Sequence, residues 1–226
     1  MQKLNVLYED NHIIVVEKMV NVPSQGDKTG DIDMITIIKE YLKKKYNKQG
    51  NVYLGLVHRL DRPVGGVMVF AKTSKAASRL SEYVRTKQFE KIYLAIVDGK
   101  IESKREILED YLLKNERNNL SKVVEEGTKN SKYAKLEYEL IKYKEDINLS
   151  LVKVKLYTGR HHQIRVQFAS RGHSLYGDQK YGTRGRGKQI TLWAYSLSFP
   201  HPITKEIMTF KCLPEITGSW KILESN

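Results

Sequence analysis

Two stretches decide the fold: Tyr133-Ala134-Lys135-Leu136-Glu137-Tyr138-Glu139-Leu140 and Leu149-Ser150-Leu151-Val152-Lys153-Val154-Lys155-Leu156. Apolar and polar side chains alternate in both, the two-residue period of a strand with one face buried and one face wet. The segment between them is short, polar and charged, so the pair is expected to be antiparallel. Upstream, Lys91-Ile92-Tyr93-Leu94-Ala95-Ile96-Val97 and Gly66-Val67-Met68-Val69-Phe70-Ala71 are apolar runs of strand length, as is Ile13-Ile14-Val15-Val16. Downstream, strands are expected around Leu192 to Phe199 and Ile207 to Lys211. Between Glu106 and Leu156 the pattern is mostly β.

Three helices interrupt this pattern. Met34, Ile37, Ile38, Tyr41 and Leu42 fall at helical spacing behind Asp33, a good N-cap, and Lys43-Lys44-Lys45 suits the negative C-terminal end of the dipole. A second helix, capped by Ser74, presents Ala77, Leu80, Tyr83 and Val84 inward. A short third helix covers His162, Ile164, Arg165, Phe168 and Ala169 and closes at Gly172 as its C′ residue. No repeat or low-complexity tract occurs, so residues 1–226 read as a single α+β domain, a mostly antiparallel mixed sheet flanked by helices and loops.

The chain carries 39 Lys+Arg against 26 Asp+Glu, a net charge of +13, which fits a polyanionic partner and equally fits a merely basic surface. The Lys43–Lys45 run reads better as a solvated helix end than as an RNA contact. The single cysteine, Cys212, rules out an internal disulfide and a Cys-rich zinc site, and points to the reducing cytoplasm. No apolar stretch approaches a membrane span and the N-terminus lacks a signal-peptide core, so neither export nor a membrane is expected.

Three segments combine charged side chains with backbone-breaking residues. In His58-Arg59-Leu60-Asp61-Arg62-Pro63-Val64-Gly65-Gly66 a carboxylate sits between two guanidinium groups in a constrained loop before a strand. That is either a salt-bridged turn or a carboxylate kept ionised for chemistry. In Thr158-Gly159-Arg160-His161-His162-Gln163-Ile164-Arg165 several donors meet a strand-to-helix turn, an arrangement that attracts phosphate. Adjacent histidines face different sides of a helix, which argues against a metal pair. Gly172 to Lys188 interleaves glycines, aromatics and cations, including Lys180, Arg184 and Arg186, and is either an RNA-contacting loop or a plain basic one. No nucleotide-binding P-loop, dinucleotide fingerprint, HExxH or Gly-x-Ser-x-Gly elbow occurs. An aspartate among cations, in a basic chain without cofactor motifs, suits chemistry at a sugar C1′, where glycosidic cleavage develops positive charge.

These segments, in this order, resemble the RluA-like branch of the RNA pseudouridine synthases. Tyr8 to Lys18 resembles the family's opening strand, His58-Arg59-Leu60-Asp61 its catalytic motif, Lys91-Ile92-Tyr93-Leu94-Ala95 its Tyr-bearing strand, and Thr158 to Arg165 its third motif. Tyr176-Gly177-Asp178, Tyr181-Gly182 and Leu197 to Pro202 follow in the same order. The resemblance implies an isomerase that converts a uridine of structured RNA, ribosomal or transfer, to pseudouridine with no cofactor and no metal. By the same likeness Asp61 is the catalytic aspartate, Tyr93 packs on the base and helps remove the C5 proton, and Arg165 pairs with Asp61. Arg59 fills the space left by the flipped nucleotide, and Arg62, Arg160, His161, Gln163, Lys180, Arg184 and Arg186 join it in contacting RNA. His58 reads as structural. Departures lie in Pro63-Val64-Gly65, where relatives carry an acidic residue, Thr and Ser, and in Met19, where they carry Pro. The small N-terminal RNA-binding module of many relatives is not expected, and the protein is expected to act as a monomer. The competing reading is an RNA-binding or RNA-remodelling protein that kept the fold and lost turnover.

Overall fold

A computed structural model describes residues 4–183 and 187–224 of the chain. In order, the elements are β1 (Val6–Glu9), β2 (Ile13–Lys18), α1 (Met34–Lys45), β3 (Gly55–Leu56), β4 (Gly65–Ala71), α2 (Ser74–Arg85), β5 (Glu90–Asp98) and β6 (Arg105–Asn115). They continue with β7 (Leu120–Val124), β8 (Lys132–Lys144), β9 (Leu149–Leu156), α3 (Gln163–Ala169), β10 (Leu192–Pro200) and β11 (Ile207–Lys211), then a 3-10 helix, Gly218–Leu223. This is the expected α+β class. The chain forms two compact units, Met1–Glu90 with Ala194–Leu213 and Lys91–Trp193 with Pro214–Asn226.

In the first unit the strands run β1-β2-β4-β10, with β11 on β10 and β3 on β4. The pairs β1–β2, β2–β4, β3–β4 and β10–β11 are antiparallel. Val15 lies opposite Val69, and both belong to a core with Ile13, Val67, Leu80, Leu197 and Phe199. Ile14, Val16, Met68 and Phe70 point the other way and are buried too, so this small sheet is covered on both faces. That explains why β2 and β4 read as continuous apolar runs rather than alternating ones. Asp33 caps α1 as expected, its Oδ1 accepting the Thr36 N–H at 2.9 Å. The α2 cap is one residue earlier than expected: Thr73, not Ser74, accepts the Ala76 N–H at 3.2 Å.

In the second unit the order is β5-β9-β8-β6-β7, each pair antiparallel. The expected β8–β9 pairing is present, with Tyr138 opposite Val154 and an irregularity between Leu140 and Lys142. Residues directly opposite one another share a face. The face bearing Leu112, Ala134 and Tyr138 receives α3: Val166 packs on Leu112 and Ala134, and the Phe168 ring lies 5.3 Å from that of Tyr138. α3 ends sooner than expected, at a Ser170 C-cap, which leaves Gly172 two residues beyond it with φ +81°.

Candidate active site

In the first unit, Asp61 is half-buried in a turn closed by the Val64 N–H on the Asp61 carbonyl at 2.9 Å. The turn is held from beneath. Ser24 Oγ donates to the Leu60 carbonyl at 2.9 Å and accepts the Leu60 N–H at 3.2 Å. Lys18, fully buried at the end of β2, donates from Nζ to the carbonyls of Met19, Arg62 and Val64 at 3.0, 2.9 and 2.7 Å. Burial drives the Lys18 ammonium down to about 7, against the opposing attraction of Asp61. Sequence reasoning missed this residue, because a lysine at a strand end ordinarily reads as surface.

Lys18 Nζ, inside the fold, thus lies within electrostatic reach of Asp61 and carries its positive charge below about pH 7. The Arg62 guanidinium, expected beside that carboxylate, is instead bound to Asp31 and Asp27, to Thr29 Oγ1 at 3.2 Å and to the Asn21 carbonyl at 3.2 Å. Arg59 is exposed and makes no hydrogen bond or ion pair among the described residues. His58 Nε2 accepts the Val69 N–H at 3.1 Å and its ring meets Phe89 edge-on, the structural role expected of it.

In the second unit, Tyr93 pairs with Val154, which places it on the sheet face that carries α3. Arg165, in α3, is 4% exposed. Its Nε and Nη2 donate to the two oxygens of Asp178 at 2.7 Å each, and the Tyr181 ring covers the guanidinium at 5.3 Å. Asp178 Oδ1 also accepts the N–H groups of Lys180 and Tyr181. The Tyr181 hydroxyl accepts the Ser121 N–H at 2.7 Å and is 2.8 Å from His162 Nδ1. His162 adopts a left-handed backbone, φ +53°, and stacks on His161. Burial, with help from the charges of Arg165, His161 and Lys180, pushes its imidazole down to about 2, so it is neutral.

Gln163, expected at the RNA surface, is buried: its Oε1 accepts from Thr158 Oγ1 and the Arg160 N–H, and its Nε2 donates to Gln167. It shapes the loop before α3 from inside. Arg160 is exposed and donates to the Tyr133 carbonyl at 2.8 Å. His161 is half-buried on Ser121 Oγ, and the exposed Lys180 reaches the Asn119 carbonyl at 3.0 Å. Arg184 and Arg186 lie outside the described residues. Asp178 and Tyr181 were legible as part of a motif but not as the partners of Arg165. Their signal is Gly177, where a Cβ would sit 2.1 Å from the Gln189 carbonyl oxygen, so the loop must pass close to its neighbour at that point.

The sequence profile of the RNA pseudouridylate synthase family matches residues 12–170, which span Asp61, Tyr93 and Arg165. The chain belongs to this family. It is 34% identical over 221 residues to an RNA pseudouridine synthase of Aquifex aeolicus, covering 92% of this chain and 68% of that protein. It is 32% identical over 216 residues to the ribosomal large subunit pseudouridine synthase C of Haemophilus influenzae, covering 91% of this chain and 63% of that one. The chain thus spans about two-thirds of the length of these relatives. Among solved structures, human RNA Pseudouridylate Synthase Domain Containing 4 shares the fold, with a TM-score of 0.79 at 21% identity over 96% of this chain and 90% of that one. This pseudouridine synthase family member therefore has the fold that its sequence motifs implied.

Proposed function

We propose that this protein isomerises one uridine of a structured RNA, ribosomal or transfer, to pseudouridine in the cytoplasm, as a monomer whose two units act as one catalytic domain. The observation that carries this reading is the family match across residues 12–170, which includes every proposed catalytic position. Similarity to the Haemophilus enzyme, named for the large ribosomal subunit, favours ribosomal RNA. Asp61 is the carboxylate that enables cleavage of the N1–C1′ bond, after which the uracil turns and rejoins through C5. Tyr93 packs on the base and helps take the C5 proton, and Arg165 pairs with Asp61 and fixes its orientation. The nucleotide is flipped out of its stack, since the whole base must rotate within the enzyme. The exposed Arg59 fills the vacated space, Arg62, Arg160, His161, Lys180, Arg184 and Arg186 contact the RNA, and the buried Gln163 holds the loop before α3 from within the fold. No cofactor or metal takes part.

Asp61→Asn tests this. Pseudouridine formation is expected to vanish while folding and RNA affinity persist, and retained turnover refutes the role. Pseudouridine mapping in a deletion strain names the target. An unchanged map supports the competing reading, a binding protein without turnover. Free uracil in the products would instead indicate a glycosylase.

A further inference from the structure

We propose that Tyr181 is a positioning residue for Arg165 and that its hydroxyl ties this guanidinium to the β6–β7 hairpin. The proposal rests on the pseudouridine synthase reading for its catalytic consequence only.

Three observations converge on Tyr181. Asp178 grips one edge of the Arg165 guanidinium through two 2.7 Å hydrogen bonds, and the Tyr181 ring closes one face at 5.3 Å. Edge and face together leave a planar, five-donor group little freedom to turn. Tyr181 is itself fixed at both ends, by its N–H on Asp178 Oδ1 and by its hydroxyl.

The hydroxyl reaches another part of the unit. Ser121 belongs to β7, the last strand of its sheet, and its N–H donates to the Tyr181 hydroxyl at 2.7 Å. Two further contacts run beside this one, Ser121 Oγ with His161 Nδ1 at 2.9 Å and Lys180 Nζ with the Asn119 carbonyl at 3.0 Å. Val123 packs in the same cluster as Val166 of α3 and Tyr181. The hairpin is thus latched to the segment that holds Arg165. The left-handed backbone of His162, which a non-glycine residue seldom adopts, sets its imidazole 2.8 Å from the same hydroxyl. Arg117 is exposed at the tip of the hairpin, beside a Lys114 that is paired with Glu116, and an RNA strand can engage it there. RNA held there would steady Tyr181 and, through it, the guanidinium.

The test compares Tyr181→Phe, which keeps the ring, with Tyr181→Leu, which removes it, in the full chain. Amide exchange at Ser121 is expected to accelerate at least about tenfold in Tyr181→Phe, with the β7 amides bonded to β6 unchanged. The 15N resonance of the Arg165 Nε–H should stay sharp in Tyr181→Phe and broaden in Tyr181→Leu. With saturating ribosomal RNA, single-turnover pseudouridine formation should fall about tenfold in Tyr181→Phe, the equivalent of one hydrogen bond, and further in Tyr181→Leu, with RNA Kd within about twofold of wild type. Unchanged Ser121 exchange, an unperturbed Arg165 signal in Tyr181→Leu, or a rate loss matched by weaker RNA binding overturns the proposal. If the wild type forms no pseudouridine, the functional reading fails, and the exchange and resonance measurements still decide whether Tyr181 positions Arg165. If Tyr181→Leu does not fold, Tyr181→Phe decides by exchange and rate.

Discussion

Lys18 and Val64 are joined by a 2.7 Å hydrogen bond from a fully buried ammonium to a backbone carbonyl three residues past Asp61. The same nitrogen holds the carbonyls of Arg62 and Met19, so one side chain organises the underside of the turn. Burying a charge is costly unless it is well bonded, and here three acceptors surround it. Lys18→Met keeps most of the volume and removes every donor. Each buried acceptor left without a partner costs about 1–3 kcal/mol, offset in part because no ammonium is then buried. A net loss of roughly 2 kcal/mol is expected in urea unfolding, together with at least a tenfold slower single turnover from a displaced Asp61. A variant matching wild type in both would show that the turn holds itself.

Gly66 lies opposite Lys18 in the β2–β4 register, with φ +122° and its Cα against the Ala194 backbone. A Cβ there would stand 2.2 Å from the Ala194 carbonyl oxygen, too close for either backbone to accommodate. Gly66→Ala is expected to lower stability by more than about 3 kcal/mol or to prevent folding. Gly30 also has a positive φ, +74°, but nothing within 4 Å, so Gly30→Ala should cost only about 1 kcal/mol. Thermal midpoints of the two variants separate close approach from dihedral strain.

His162 makes stability acid-sensitive. Its imidazole is held down to about 2 in the fold but titrates near 6.5 in the unfolded chain. Between those values the unfolded state binds the extra proton, so stability is full above about 6.5 and declines as pH falls below it, by up to about 1.4 kcal/mol per unit. His162→Asn, chosen because Asn tolerates the left-handed backbone, removes this slope. Urea midpoints of both proteins at several pH values from neutral to mildly acidic should converge as pH falls. Parallel lines would mean that another group carries the acid sensitivity.

How much of this was legible depended on whether burial followed local pattern. β9 and β11 have the bounds that their apolar pattern indicated, and Asp33 caps α1 as its position before an amphipathic run required. β1 and β3 escaped notice because four and two residues are too few to display a period. Lys18, Gln163 and Arg165 are polar residues in the interior, satisfied by partners 13 to 46 residues away or by a neighbouring loop. No local pattern announces such long-range pairing. The Asp61 turn was legible from Pro and Gly, whereas Lys18, which β2 supplies from 43 residues upstream, was not anticipated among the cations near it.

The same contrast separates the basic residues that should bind RNA from those that should not. Lys45 is engaged by Glu9 at 2.7 Å, and Glu9 also holds Lys72 and the Tyr46 hydroxyl. Burial would raise the Glu9 carboxyl, but these donors bring it down to about 2, so the clamp stays charged at any physiological pH. Lys43 and Lys44 complete a solvated helix end that complements the α1 dipole. Arg160 instead sits in the loop that leads into α3 and Arg165, and the exposed Lys180 follows Asp178, the partner of Arg165, by two residues. Binding to a transcribed ribosomal RNA fragment, followed by anisotropy over a range of potassium chloride concentrations, should therefore distinguish them. Lys43→Gln with Lys44→Gln is expected to leave the slope of log K against log salt unchanged. Arg160→Gln with Lys180→Gln should flatten it by roughly 1.4 to 1.8, about 0.7–0.9 for each phosphate that is no longer neutralised. A flattened slope in the first pair and none in the second would move the RNA path to α1.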